Sequence, residues 1–97
     1  MKVHWTPEAE QDRREVWDYI AEADIEAADR MNARFREAAE RLGYLPNMGR
    51  PGIFPHTREL IPHPSYRMVY FVGEDAVHIL AVMHTSRQWP PLMEDGD

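Results

Sequence analysis

The sequence has no cysteine, a single lysine and only five glycines. Without thiols it holds no disulfide framework, no iron–sulfur ligand set and no thiolate zinc site. No apolar run approaches the ~18 residues that span a bilayer, and the N-terminus lacks the apolar core of a secretory signal. No membrane association is expected, and the expected compartment is the cytoplasm. Basic side chains are also scarce, at 11 against 17 acidic, for a net charge of −6. Phosphate attraction dominates non-specific nucleic-acid binding, so a chain this acidic would need a local Arg/His cluster for such a role. There is no phosphate-binding loop, no dinucleotide fingerprint, no H-E-x-x-H, no nucleophile elbow and no internal repeat.

What is present is globular. The 97 residues are 43% apolar and include three Trp, four Tyr and three Phe. That size and composition fit one small domain over residues 1–97. A chain this short buries only about 60–70% of its unfolded surface, so its core is thin. The acidity is uneven. Residues 1–42 carry seven basic and eleven acidic side chains. Residues 43–93 carry four Arg, three acids and four of the five His. The tail 94–97 adds three acids and is expected to be mobile.

Local patterns give an order of elements. Lys2 to Trp5 reads as a short strand. Thr6-Pro7 then opens a helix, because Thr caps well and Pro suits the first helical position. Apolar residues recur at threes and fours from Ala9 to Leu42. Asp24 can cap a second helix, so the segment divides near Ala23-Asp24, and Gly43 is placed just past its end. The stripe of Trp17, Ile20, Ile25, Met31, Phe35 and Leu42 is core at helical spacing. Tyr44 to Pro55 is a loop. Thr57–Ile61, Tyr66–Val72 and Val77–His84 are strands, and the last two form a hairpin around Gly73-Glu74-Asp75. The fold class is α+β in the order β-α-α-β-β-β: a four-stranded, mainly antiparallel sheet with a helical hairpin on one face.

The uncovered face then decides the function. Alternation places Tyr66, Met68, Tyr70 and Val72 under the helices and Arg67, Val69 and Phe71 on the open side. An exposed Val69/Phe71 pair reads as a partner surface. Arg50, Arg58, Arg67, His84 and Arg87 are expected to gather there. As a catalytic set, His84 would act as acid or base while Arg67 and Arg87 hold a phosphodiester during attack by a 2′-hydroxyl. The structural alternatives are a hydrogen-bonded His at a strand end, Arg58 paired with Glu59, Arg50 holding loop carbonyls and Trp89 as a packing lid. No metal is expected: His78 and His84 lie about 20 Å apart along one strand, and His56 and His63 have no acidic cluster beside them. No cofactor is expected.

Four ordered segments carry a resemblance. They are Trp5-Thr6-Pro7; Gly49-Arg50 before Arg58-Glu59-Leu60; Tyr66-Arg67-Met68-Val69-Tyr70; and Asp75-Ala76-Val77, Ile79-Leu80 and His84-Thr85-Ser86-Arg87-Gln88-Trp89-Pro90. In this order and length the chain resembles toxins of the RelE/ParE superfamily of type II toxin–antitoxin modules, on the ParE-like side. The resemblance implies a helical hairpin on a small sheet, a bacterial or archaeal source, and a role in plasmid stabilisation. It implies a cognate antitoxin whose C-terminal segment folds across the toxin, with a heterotetramer as one assembly. It implies growth inhibition by binding DNA gyrase, through Arg50, Arg58, Arg67, Val69, Phe71, His84 and Arg87. The alternative it carries is a RelE-like mRNA endoribonuclease acting on the ribosome, with His84, Arg67 and Arg87 catalytic. A second alternative is an inactive relative that only binds antitoxin, since the acidic charge departs from the basic norm of the family.

Overall fold

The computed structural model describes residues 1–90, so the acidic tail lies outside the described residues. The elements are β1 (Lys2–Trp5), α1 (Pro7–Ala21), α2 (Ile25–Tyr44), β2 (Arg50–Pro51), β3 (Thr57–His63), β4 (Tyr66–Val72) and β5 (Ala76–His84). The sheet order is β1-β5-β4-β3-β2. β1 runs parallel to β5 and the other pairs are antiparallel. The expected α+β order is present. The sheet has a fifth strand, because Arg50 and Pro51 pair with Glu59 and Arg58.

The helix boundaries follow from their caps. The Thr6 hydroxyl accepts from the Ala9 amide at 3.1 Å, and Glu8 and Glu10 sit in the positive first turn. The Asp24 carboxylate accepts from the Ala27 amide at 3.2 Å, which starts α2 where the sequence divides. Trp17 Nε1 donates to Asp29 Oδ1 at 3.0 Å and ties the two helices together. α2 continues through Gly43 to Tyr44 instead of ending before it. The glycine is there for space: a Cβ would lie 2.9 Å from the Met1 carbonyl oxygen. The terminal ammonium of Met1 donates to the Gly43 carbonyl at 2.8 Å.

The core lies between the helices and one face of the sheet. Phe35, Leu42, Met68, Tyr70, Val77 and Ile79 are fully buried there. Ala9, Ala38 and Ala39 let the helices approach closely. Ile25, read as core, is 60% exposed at the start of α2. We call the helix-covered side of the sheet the back and the other side the front. Tyr66, Met68, Tyr70 and Val72 lie on the back and Arg67, Val69 and Phe71 on the front, as alternation predicts.

Candidate functional site

The front is built around Glu59, which the sequence suggested only as a partner of Arg58; in the structure it pairs with Arg50 and Arg67, and Arg58 instead holds the loop carbonyls expected of Arg50. Cross-strand register sets it beside Val69 on β4 and Arg50 on β2. Its Oε1 accepts from Arg67 Nη1 at 3.1 Å and from Arg50 Nη2 at 3.3 Å. The Glu59 side chain is only 8% exposed and that of Arg67 15%. A carboxylate this dry needs its guanidinium partners, and Arg67 needs the carboxylate.

Arg67 is therefore not a free cation. Its Nη2 donates to the Thr85 carbonyl at 3.2 Å and also to the Arg87 carbonyl. Its Nε is buried with no partner among the described residues. The residues after β5 thus turn back over the front, and the Trp89 ring meets Phe54 edge-on at 5.9 Å. Trp89 packs as a lid over its own chain. Val69, expected to be exposed, is fully buried, so the chain's own atoms close the centre of this face. Phe71 keeps partial exposure.

Two more expected members of the site face the other way. Arg58 pairs with Tyr70 and so lies on the back. Its Nη1 donates to the carbonyls of Gly49 at 2.7 Å and Asn47 at 3.3 Å. The Tyr70 hydroxyl accepts from the Gly49 amide at 2.9 Å. Burial raises the Tyr70 pKa above 10.0, while the Gly49 bond and nearby Arg58 oppose the rise. A Cβ on Gly49 would lie 2.6 Å from the Glu59 carbonyl oxygen. The Gly49-Arg50 step and Arg58 are therefore fixed by loop packing.

His84 pairs with Tyr66, also on the back. The reason is a register shift. Val69 faces Ala81 but Tyr70 faces Ile79, so Leu80 is an extra residue in β5. A bulge of this kind reverses alternation beyond it. His78, on the near side of the bulge, faces Phe71 on the front; His84, six positions on, does not. His84 Nδ1 accepts from the Ser86 amide at 3.1 Å and lies 2.8 Å from Ser86 Oγ. Its ring is edge-on to Tyr66 at 5.8 Å. Arg87 is exposed. The structure thus brings Arg50 and Arg67 together and leaves Arg58 and His84 on the other face.

A groove of about 870 Å³ opens beside His84. β1 pairs with β5 only as far as Ile79, so the outer edge of β5 beyond it has no strand partner. α1 forms one wall with Glu8, Asp12 and Glu15, and Ser86 to Trp89 form part of the rim. Asp12 Oδ2 accepts from the Val82 amide on that bare edge at 3.0 Å. Loss of water raises the Asp12 pKa above 3.8; the Val82 bond opposes this, and Glu15 and Glu8 add to it. Among the described residues no three His, Asp or Glu side chains converge as a metal cluster.

Residues 3–89 match the family model of the ParE toxin of type II toxin–antitoxin systems, parDE. The chain belongs to the ParE toxin family. It is 38% identical over 93 residues to the protein Y4kP of Sinorhizobium fredii, covering 95% of this chain and 96% of that one. It is 36% identical over 86 residues to the toxin RelE2 of Caulobacter vibrioides, covering 89% of this chain and 97% of that one. A chain of the chromosomal ParDE system from P. aeruginosa has the same fold, with TM-score 0.76 and 24% identity, over 87% of this chain and 95% of that one. The YoeB dimer of Staphylococcus aureus shares the fold more loosely, with TM-score 0.61 and 13% identity, over 86% of this chain and 94% of that one. Membership in the ParE family makes this protein a toxin-type subunit with an antitoxin as its natural partner.

Proposed function

We propose that this ParE family member inhibits growth by binding a protein target, DNA gyrase, and not by turnover. One observation carries the reading. Cleavage through a 2′-hydroxyl needs an acid–base group and free cations around one phosphate. Here Arg67 is already engaged by Glu59 and two carbonyls. His84 lies on the opposite face with Nδ1 engaged by Ser86. The surface left for a target is the exposed Arg50, the partly exposed Phe71 and the exposed Arg87.

The antitoxin fits the groove beside the bare β5 edge. Its α1 wall carries Glu8, Asp12 and Glu15, which favours a segment with basic residues. The test is induction without antitoxin. The reading expects growth arrest with SOS induction and intact translated mRNA. Arrest with cut mRNA would favour the endoribonuclease, and normal growth would mark an inactive relative.

A further inference from the structure

Four rings cross the front near the β4–β5 turn, from β1, from β4, from β5 and from His56 just before β3. His4 on β1 stacks on His78 on β5, with ring centroids 5.5 Å apart and planes 29° apart. His78 meets Phe71 at 6.2 Å, and Phe71 meets His56 at 6.1 Å. Parallel register makes His4 and His78 direct Cα partners, so the pairing is built into the sheet. His78 is half-buried, and Phe71 flanks its ring. His4 is exposed, so its ring can turn without leaving a packed site.

We propose that His4 and His78 form a two-imidazole site for a borderline divalent metal such as Ni²⁺, Cu²⁺ or Zn²⁺, with water completing the coordination. Neutral imidazole is the ligand these ions share. A metal–nitrogen bond of about 2.0–2.1 Å puts the ion roughly 3.2 Å from each ring centre. Two rings on one ion then have centres roughly 4.5–6.4 Å apart, depending on the angle at the metal. The observed 5.5 Å lies inside that range. The nearly parallel planes do not yet converge, so binding requires His4 to rotate about its Cβ–Cγ bond. The ion would join the N-terminal strand to the centre of the sheet. The sequence hides the site, because His4 and His78 come from opposite ends of the chain.

The test uses untagged full-length protein with NiCl₂ or ZnCl₂ at pH 7.5, read by thermal melting and calorimetry. At about ten times Kd, binding to the folded state alone raises Tm by roughly 5–10 °C for a chain of this size. The site predicts that His4→Ala abolishes the shift while His63→Ala and His84→Ala keep it. His4→Ala removes an exposed side chain and is expected to fold, and its own melting curve without metal checks this. No shift in the wild type, or a shift that survives His4→Ala, overturns the proposal.

Discussion

Glu59 is the residue on which the front depends. Its carboxylate serves Arg67 and Arg50 from an almost dry position. Removing one partner of a buried ion pair leaves the other charge uncompensated, at about 3–5 kcal/mol. Arg67 retains some water and two carbonyls, so Glu59→Ala is expected to cost roughly 3 kcal/mol, read by urea unfolding. Arg50→Ala, at an exposed position, is expected to cost under about 1 kcal/mol. Asp12 behaves in the opposite sense. A carboxyl with a raised native pKa holds its proton more tightly when folded, so stability falls as pH rises from 3.8 through the native value. Asp12→Asn keeps an acceptor for the Val82 amide without the charge. It is expected to be at least as stable as wild type at pH 7, with the difference vanishing below pH 3.8. Asp12→Ala loses the acceptor and is expected to cost about 0.5–1.5 kcal/mol. Parallel denaturation curves at the two pH values check the sign.

Among the elements, the α2–β2 loop shows how packing constrains residues that look functional. Gly49 has the Glu59 carbonyl and the Tyr70 hydroxyl where a side chain would begin. Gly49→Ala is expected to destabilise by about 1–3 kcal/mol through overpacking, measurable as a fall in denaturation midpoint. Thr6→Ala is expected to cost about 1 kcal/mol from loss of the α1 cap. Much of this level was legible in the sequence. Caps at Thr6 and Asp24, helical spacing and the turn at Gly73 are local signals, and they gave both helices, the four longer strands and the two faces of β4. The fifth strand was not legible, since two residues ending in Pro51 carry no pattern and exist only through pairing with β3. The position of His84 was hidden for a related reason. Counting by twos carries the front face from His78 to His84, but the extra residue at Leu80 is a property of the pairing with β4 and reverses the count. Val69 was legible as a front residue but not as a buried one, because its cover depends on distant parts of the chain.

At the scale of the molecule the net charge differs by layer. Residues 1–42 hold eleven acids against seven basic side chains, while residues 43–90 hold four Arg and four His against three acids. Such a distribution orients partners: basic segments toward α1 and acidic ones toward the sheet. With an antitoxin bound only to the folded toxin, the melting temperature is expected to rise with antitoxin concentration. An unchanged melting temperature at excess antitoxin would contradict this. Stoichiometric binding to gyrase without turnover, as proposed, is tested most directly by titrating the purified protein into a gyrase supercoiling assay. Inhibition is expected to grow with the protein-to-gyrase ratio, with trapped DNA breaks and no loss of mRNA on translating ribosomes. Full supercoiling at a large excess of toxin, with mRNA cut in the parallel ribosome reaction, would contradict it.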